Sequence, residues 1–278
     1  MKRIAVASGK GGTGKTTLSL ILAEILSQKY KVHLLDCDVE EPNCHLFLKP
    51  KIKKKKEVKI FTPLFDLKKC AFCGKCQKVC QFHALLVLKD NILKFDEICH
   101  SCRACILACP EGAVKEGKRR IGVEYFSEIK SSLYFSWAAL DVNEARSTPL
   151  ISNLKAGIKK DSDFVIYDSP PGTSCPFVEA VHGADYVIFV TEPTPFGLYD
   201  LKIAHQAVKR MKIPCGIVIN RSYGEDKIIE DYVKKQNLEI IAYISFSKKF
   251  AQGYSRGKIL TELFPGLKND LFKFMRGI

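Results

Sequence analysis

A glycine-rich segment near the start of the chain, Gly9 to Thr16, matches the pattern Gly-x-x-x-x-Gly-Lys-Ser/Thr. It follows a β-branched run and precedes a helical pattern, which is the context that a phosphate-binding loop requires. Glycines let backbone N–H groups close around phosphates, and the helix start adds a favourable dipole. Lys15 is expected to bridge the β- and γ-phosphates and Thr16 to hold Mg²⁺. The expected nucleotide contacts are Gly9, Gly11, Gly12, Thr13, Gly14, Lys15, Thr16 and Thr17.

Most of the chain alternates short β-branched runs with amphipathic helices, which is typical of a parallel sheet covered on both faces. The first helix carries one apolar stripe, formed by Leu18, Ile21, Leu22, Ile25 and Leu26. The predicted strands are Arg3 to Ala7, Val32 to Asp36, Asp163 to Tyr167, Tyr186 to Val190, Gly216 to Asn220 and Glu239 to Ile244. These patterns predict an α/β fold with a mostly parallel sheet.

The alternation breaks between Pro50 and about Lys118, where a lysine run and several glycines flank a cysteine-rich stretch. We therefore predict one P-loop domain, formed by residues 1–56 and 119–278, and a small inserted α+β domain at residues 57–118. From Gly122 to Leu140 the alternation returns and predicts two short strands or a hairpin.

The inserted segment contains one cysteine spacing twice, with every member displaced by 29 residues. The first run is Cys70, Cys73, Cys76 and Cys80, and the second is Cys99, Cys102, Cys105 and Cys109. Both follow the spacing of bacterial two-cluster ferredoxins, in which three thiolates of one run and the last of the other hold each 4Fe–4S cluster. Zinc sites and disulfides are the alternatives, and the absence of an export signal argues against disulfides. The runs differ in one respect, because Pro110 follows Cys109 whereas Gln81 follows Cys80.

The loop also contains Lys10, and Lys-Gly-Gly-x-Gly-Lys-Thr-Thr resembles the deviant Walker A loop of the MinD, ParA, Mrp and nitrogenase iron protein group of ATPases. Leu35-Asp36-Cys37-Asp38 resembles the switch I motif of that group, and the segment from Val165 to Gly172 resembles its Walker B and switch II motifs. With the cysteine runs included, nearly all 278 residues resemble MinD-superfamily ATPases that carry an inserted ferredoxin domain.

The resemblance implies roles for individual residues. Asp38 would position the attacking water, and Asp36 would support the Mg²⁺ site. Asp168 would lie near the metal, Gly172 would sense the γ-phosphate, and Asn220 would read adenine. Lys10 would reach the phosphates bound in a second subunit, so that ATP binding produces a homodimer. The implied catalytic residues are Lys10, Lys15, Asp38 and Asp168.

Our first hypothesis is an ATP-hydrolysing iron–sulfur protein that couples nucleotide-dependent dimerisation to work on a partner protein. That work is either electron delivery or assembly of an iron–sulfur or other metallocluster. The alternative is a MinD- or ParA-type positioning ATPase, acting on membrane or DNA, whose clusters are structural or redox-sensing. A simple electron carrier without hydrolysis is disfavoured because Lys15, Thr16, Asp38 and Asp168 are all present.

The formal net charge of +14 overstates the charge of the loaded protein, because two clusters with their thiolates add negative charge. Much of the excess lies between Lys49 and Lys59, where seven of eleven residues are lysine. We expect a solvated linker there, with a docking patch for an acidic redox partner as the alternative. The run lacks interleaved aromatic residues, so nucleic acid is not an expected partner. With no long apolar stretch, the chain is expected to be cytoplasmic and not membrane-bound.

Other residues have weaker functional patterns. Cys175 lies seven residues after Asp168, a spacing like that of a cluster-binding cysteine in the nitrogenase iron protein. Cys37, Cys44 and Cys215 are expected to be small buried hydrophobes, and His83 and His100 to lie at the surface or behind the ligands. The C-terminal stripe of Leu267, Leu271, Phe274, Met275 and Ile278 is expected to pack on its own domain, with membrane binding as the alternative.

Overall fold

The structure is a computed structural model that describes residues 1–224, 226–258 and 263–277. The strands are β1 (Lys2–Ala7), β2 (Val32–Asp36), β3 (Lys54–Phe65), β4 (Leu85–Val87), β5 (Ile92–Lys94), β6 (Val114–Lys130), β7 (Leu133–Leu140), β8 (Phe164–Asp168), β9 (Tyr186–Thr191), β10 (Cys215–Ser222) and β11 (Glu239–Ser245). The α-helices are α1 (Lys15–Leu26), α2 (Cys44–Leu48), α3 (Lys75–Lys78), α4 (Ala104–Leu107), α5 (Ser147–Ala156), α6 (Cys175–Val181), α7 (Pro195–Arg210), α8 (Lys227–Gln236), α9 (Lys248–Ser255) and α10 (Pro265–Gly277).

Nine strands form one sheet in the order β11-β10-β9-β1-β8-β2-β7-β6-β3. Neighbouring strands from β11 to β7 pair in parallel, and only the β7–β6 and β6–β3 pairs are antiparallel. The prediction of a mostly parallel α/β sheet is therefore confirmed, and all six predicted strands are present within two residues of their expected bounds. Strands β4 and β5 form a separate two-stranded sheet.

Two apolar layers cover the two faces of the large sheet. Successive residues of β1 alternate between them, because Ile4 and Val6 join one layer while Ala5 and Ala7 join the other. The first layer packs α1 and α10 on the sheet, and the second packs α5, α6, α7 and α8. The predicted stripe of α1 is buried in the first layer.

The C-terminal stripe belongs to the same core. Leu267, Leu271, Phe274 and Met275 are buried against α1 and β11, as expected for a helix that packs on its own domain. Ile278 lies outside the described residues. Within those residues, no helix has both the length and the apolar character that crossing a bilayer demands.

The lysine run is not a linker, so that prediction is wrong for most of its length. Lys54 to Lys59 belong to β3, the edge strand of the sheet. Lys53 pairs with Glu128, and the Lys55 amine lies 5.8 Å from the centre of the Tyr125 ring. Pairing with β6 overrides the low strand propensity of lysine. Charged side chains on an edge strand also oppose pairing with a second sheet.

Strands β3 and β6 form a ribbon that extends beyond the sheet. Strand β3 pairs with β6 along its whole length, from Lys54 with Phe126 to Phe65 with Val114, whereas β6 pairs with β7 only from Gly122 onwards. The predicted hairpin at Gly122 to Leu140 is present, but its first strand begins earlier, at Val114. The expected domain boundaries at 56/57 and 118/119 therefore fall inside β3 and β6. Residues 66–113, which include both cysteine runs, lie at the far end of this ribbon.

Candidate functional site

The loop between β1 and α1 has the backbone of a phosphate-binding loop. Gly12 and Gly14 have φ values of 76° and 100°, which lie in the left-handed region that favours glycine. A Cβ atom at Gly9 would lie 2.2 Å from the backbone oxygen of Asp200, so this position leaves no room for a side chain. Gly11 and Gly12 face open space, and the buried Thr13 hydroxyl has no hydrogen-bond partner. These features fit a bound phosphate chain.

Three acidic residues lie beside this loop: Asp36 and Asp168, at the carboxyl ends of two adjacent strands, and Asp38, two residues after the first of these strands. Asp168, at the end of β8, accepts hydrogen bonds from the Thr16 hydroxyl at 2.7 Å and the Ser19 hydroxyl at 2.9 Å. Asp36, at the end of β2, accepts backbone N–H bonds from Asp38, Asn43 and Cys44. Parallel strands present their carboxyl ends at one edge, which explains why residues 132 positions apart in sequence become neighbours.

Three buried or largely buried carboxyl groups share one nearby positive charge, the Lys15 amine, and burial shifts the pKa of each group. Burial raises the pKa of Asp36, which the Asp168 charge raises further, and burial also raises the pKa of Asp168. The pKa of Asp38 is raised to about 6, mainly by burial. Burial lowers the pKa of the Lys15 amine, against the opposing effect of Asp168 and Asp38. A divalent cation would satisfy these carboxylates, so the donor set fits Mg²⁺.

Cys44 lies inside this cluster, where it is more than a small hydrophobe. Its thiol donates to Asp168 across 3.4 Å, and its ligand atom and those of Asp36 and Asp168 all lie within 4.8 Å of one another. Cys37 is buried as expected and Cys215 is half-buried. Cys175 is exposed at the start of α6, just after the Walker B and switch II segment.

Lys10 is held by residues that the sequence did not point to. Its amine lies 3.5 Å from a carboxylate oxygen of Glu192, and Arg221 donates to the other oxygen at 2.7 Å. Arg221 also donates to the backbone oxygen of Gly12 at 3.3 Å. Glu192 directly follows β9. Because ligand sites form at the carboxyl ends of parallel strands, a charged residue at this position could have been predicted from sequence to lie near the loop. Two further predicted residues contact the loop, because the Asn220 amide donates to Thr13 oxygen and the Gly172 N–H donates to Ser8 oxygen.

The eight cysteines of the two runs lie together at the end of the ribbon, all as free thiols. Cys70, Cys73, Cys76 and Cys109 line one cavity, which joins three members of the first run to the last member of the second. The remaining four lie close enough to influence one another. Burial raises the pKa of Cys99, with smaller effects from Asp96, Cys80 and Cys102, and burial with Cys99 and Cys102 raises that of Cys105 to about 11.

The backbone around the two runs repeats at the same spacing as the cysteines. Left-handed residues recur in pairs: Phe72 with Ser101, Gly74 with Arg103, and His83 with Gly112. Helix α4 follows α3 at an offset of 29 residues, so the two runs share one local fold. The last sulfur of each run accepts a backbone N–H at 3.3 Å, from Ala84 in the first and Ala113 in the second. Such bonds to sulfur are among the interactions that tune iron–sulfur centres.

The spacing of the sulfurs bears on which metal fits. A tetrahedral zinc site with Zn–S bonds of about 2.3 Å places its sulfurs roughly 3.8 Å apart. Among the described residues, which include all eight cysteines, no three of these sulfurs lie within 4.8 Å of one another. A cluster with an iron at each ligated corner accommodates thiolates that stand farther apart. The donor set therefore fits iron–sulfur clusters better than zinc.

The two histidines near the runs are at the surface, as expected. His83 and His100 are both exposed. The His100 ring stacks on Phe82 with centroids 3.6 Å apart. Neither histidine appears in a group of metal-ligating side chains among the described residues.

Comparison with known proteins agrees with this geometry. The chain is 33% identical over 286 residues to an uncharacterised protein of Methanocaldococcus jannaschii, covering all of this chain and 96% of that one. It is 26% identical to an iron–sulfur cluster carrier protein of Rickettsia typhi, over 94% of this chain and 67% of the relative. The solved structure of the septum site-determining protein MinD of Pyrococcus horikoshii, in complex with Mg-ADP, matches with a TM-score of 0.56 at 19% identity, covering 97% and 93% of the two chains. Residues 4–260 match the CobQ/CobB/MinD/ParA nucleotide binding domain family, and the chain belongs to that family.

Proposed function

We propose that this chain is an ATP-hydrolysing iron–sulfur protein in which nucleotide-dependent dimerisation times electron delivery or cluster assembly on a partner protein. One observation carries the proposal. Eight thiols, four of which line one cavity as three from the first run and one from the second, lie at the end of a ribbon that is hydrogen-bonded into the same sheet as the phosphate loop. The similarity to an iron–sulfur cluster carrier protein supports this combination.

In this proposal the loop backbone binds the phosphates of ATP and Lys15 neutralises them. Mg²⁺ supplies Lewis-acid stabilisation of the phosphoryl charge when it is bound. Thr16 would hold it, while Asp168 orients the Thr16 hydroxyl and Asp36 stabilises the cation. Asp38, with a pKa of about 6, is ionised at neutral pH and can orient an attacking water.

Lys10 completes the proposed reaction across a dimer. Its side chain is one-third exposed and is held by Glu192 within its own subunit. To reach phosphates in a second subunit, it must leave that carboxylate. Dimerisation therefore competes with an ion pair inside each monomer, and turnover would be low until two subunits meet.

The cysteine groups would hold two 4Fe–4S clusters, which supply one-electron transfer or transferable iron and sulfide. One group is Cys70, Cys73, Cys76 and Cys109, and the other is Cys80, Cys99, Cys102 and Cys105. The backbone N–H groups of Phe72, Ala84 and Ala113 donate hydrogen bonds to three of these eight sulfurs. Cys76 and Cys105 are buried.

A short backbone path links the phosphate site to the ribbon and supports the coupling. Cys37 N–H donates to the backbone oxygen of Asp168 at 2.9 Å, which ties switch I to the Walker B strand. Val39 oxygen, one residue after Asp38, accepts from Leu140 N–H at the end of β7. Asp141 N–H then donates to Ile121 oxygen in β6. In this proposal, a shift of switch I on phosphate binding would be transmitted to the ribbon along these hydrogen bonds.

The test is anaerobic purification followed by iron counting and electron paramagnetic resonance of the reduced protein. We expect about eight irons per chain, and signals that differ between a non-hydrolysable ATP analogue with Mg²⁺ and ADP. Cys73→Ser should lose about half of the iron, whereas Cys215→Ser, outside the runs, should keep it. Iron-free protein, or spectra indifferent to the nucleotide, would refute the proposal.

The same anaerobic protein can be used to distinguish electron delivery from cluster assembly. Stable clusters that cycle between redox states without losing iron indicate electron delivery. Transfer of iron to an apo-acceptor indicates cluster assembly. A positioning ATPase remains the alternative, and ATP-dependent pelleting with liposomes or DNA would detect it. The burial of the C-terminal stripe in the core weighs against a membrane-binding tail of that kind.

A further inference from the structure

The two halves of the cysteine module share a backbone but carry different surfaces. In the first half, four lysines lie within two residues of a cysteine of the first run. Adding 29 to each residue number gives the equivalent position in the second half. Lys68, Lys69, Lys75 and Lys78 correspond in that order to Glu97, Ile98, Ala104 and Leu107. The second half can therefore be used as a reference for the first, because equivalent positions have the same local backbone but side chains of different charge.

The difference extends over each half. Residues 67–89 contain five lysines and no acidic residue, whereas the equivalent residues 96–118 contain three basic and four acidic residues. Four of the seven charged side chains in the second half form ion pairs, including the Arg103–Glu116 bridge at 2.7 Å and the Lys115–Asp66 bridge at 3.3 Å. Across the described part of the chain, none of the four lysines forms an ion pair, and all four are exposed.

Unpaired like charges at this density repel one another. Lys75 and Lys78 lie three residues apart on α3, where two positive charges destabilise a helix. The second half shows that the backbone does not need them, because Ala104 and Leu107 occupy the same positions of α4. The lysines are therefore not required for folding of the module, and a group of exposed, unpaired positive charges favours association with a partner of negative charge.

We propose that the lysine face, defined as Lys68, Lys69, Lys75 and Lys78, docks an acidic one-electron carrier protein. This inference rests on the proposed function. Cys73, a member of the first thiol group, is exposed between Lys69 and Lys75, so a protein that covers the lysines lies over that group. One electron leaves the reduced carrier and enters the adjacent centre, with no bond made or broken.

The other end of the module has a different character. Leu107, the counterpart of Lys78, is 87% exposed, and Ile98, the counterpart of Lys69, is 46% exposed. An acidic protein gains nothing from these apolar side chains, so electrostatic docking is specific for the first end. The two ends of one electron path thus present different chemistry to different proteins.

The experiment measures equilibrium binding of the anaerobic, iron-loaded protein to a plant-type 2Fe–2S ferredoxin of strongly negative net charge. We expect the affinity to fall about tenfold between low and physiological salt, because a charged surface is screened. The double variant Lys75→Glu with Lys78→Glu should bind at least about tenfold more weakly. The matched variant Ala104→Glu with Leu107→Glu should stay within about twofold of the parent.

Two controls keep the outcome clear. Lys68→Glu with Lys69→Glu changes the turn before Cys70 instead of α3 and should reproduce the loss. Iron content and ATP binding are measured for every variant, so that failure of the proposed function is seen separately from failure of docking. Equal weakening by both glutamate pairs, absence of salt-sensitive binding, or lysine-dependent binding only to DNA or to anionic phospholipid vesicles would overturn the proposal.

Discussion

Replacing Glu192 with glutamine should strengthen ATP-driven dimerisation. In the single subunit, Glu192 lies 3.5 Å from the Lys10 amine and holds it beside its own loop. The proposed reaction needs that amine at the phosphates of the second subunit. Glu192→Gln removes the negative charge while it preserves the shape of the side chain, so Lys10 is released at lower cost.

The size of the effect follows from the geometry. Two unit charges 3.5 Å apart attract by about 5 kcal/mol at an effective dielectric constant near 20. The Lys10 side chain is 33% exposed, so solvent screening and its own hydration reduce the net value to about 1 kcal/mol. A symmetric dimer releases two such lysines, which gives about 2 kcal/mol and a dimer roughly 30-fold tighter.

Sedimentation equilibrium with Mg²⁺ and a non-hydrolysable ATP analogue measures the dimer constant directly. Glu230→Gln is the matched control, because Glu230 is an exposed glutamate that accepts a hydrogen bond from the Tyr243 hydroxyl and forms no ion pair with the described residues. Adding Lys10→Ala to Glu192→Gln should remove the gain. A gain that persists without Lys10 would show that Glu192 acts through Arg221 instead. An unchanged or weaker dimer in the single variant would refute the reasoning.

Three further predictions concern the loop and the sheet. Lys10→Ala should abolish phosphate release and ATP-driven dimerisation while equilibrium ATP binding stays measurable; a monomer that hydrolyses normally without this lysine would contradict the proposed mechanism. Gly9→Ala places a Cβ atom 2.2 Å from the Asp200 backbone oxygen, so we expect a loss of about 1 to 3 kcal/mol in unfolding free energy together with weakened ATP binding. Burial lowers the pKa of His33 to about 3, and its Nε2 bonds the Ser136 hydroxyl, so the folded protein keeps this ring neutral. In the unfolded chain the ring takes up a proton near pH 6.5, so protonation favours the unfolded state below that pH. The free energy of unfolding is therefore unaffected by His33 above pH 6.5 and falls by about 2 kcal/mol at pH 5. Urea unfolding at pH 7.5 and pH 5 should show this loss in the parent and not in His33→Gln, and equal pH sensitivity in both would count against the assignment.

The loop, the acidic strand ends and the cysteine spacing were readable from the sequence because each obeys a local rule. A phosphate loop needs its glycines in order, and Asp36 ends one predicted strand while Asp168 directly follows another. The two cysteine runs stand out because the same four-cysteine spacing occurs twice, 29 residues apart. These signals predicted the parallel sheet, and they singled out Thr16 and Asp36 but not Ser19 or Cys44 among the residues that the structure brings together around Asp168.

The lysine run was misread because its composition favours a solvated linker. Strand β3 forms only because β6, more than 50 residues later, pairs with it, and no local pattern encodes a partner at that distance. The same long-range pairing makes the ribbon that carries the cysteine module. The predicted boundaries therefore fell inside continuous strands, since composition changes along the ribbon while hydrogen bonding does not.

The amino-acid sequence by itself determined which chemical groups this protein has and the order in which they follow one another. Only the tertiary structure decided which distant groups meet: Glu192 with Lys10, Cys44 with Asp168, and Val39 with the end of β7. The physical reason is that such contacts depend on the stacking order of strands in the sheet. That order is a property of the whole packed core and not of any segment.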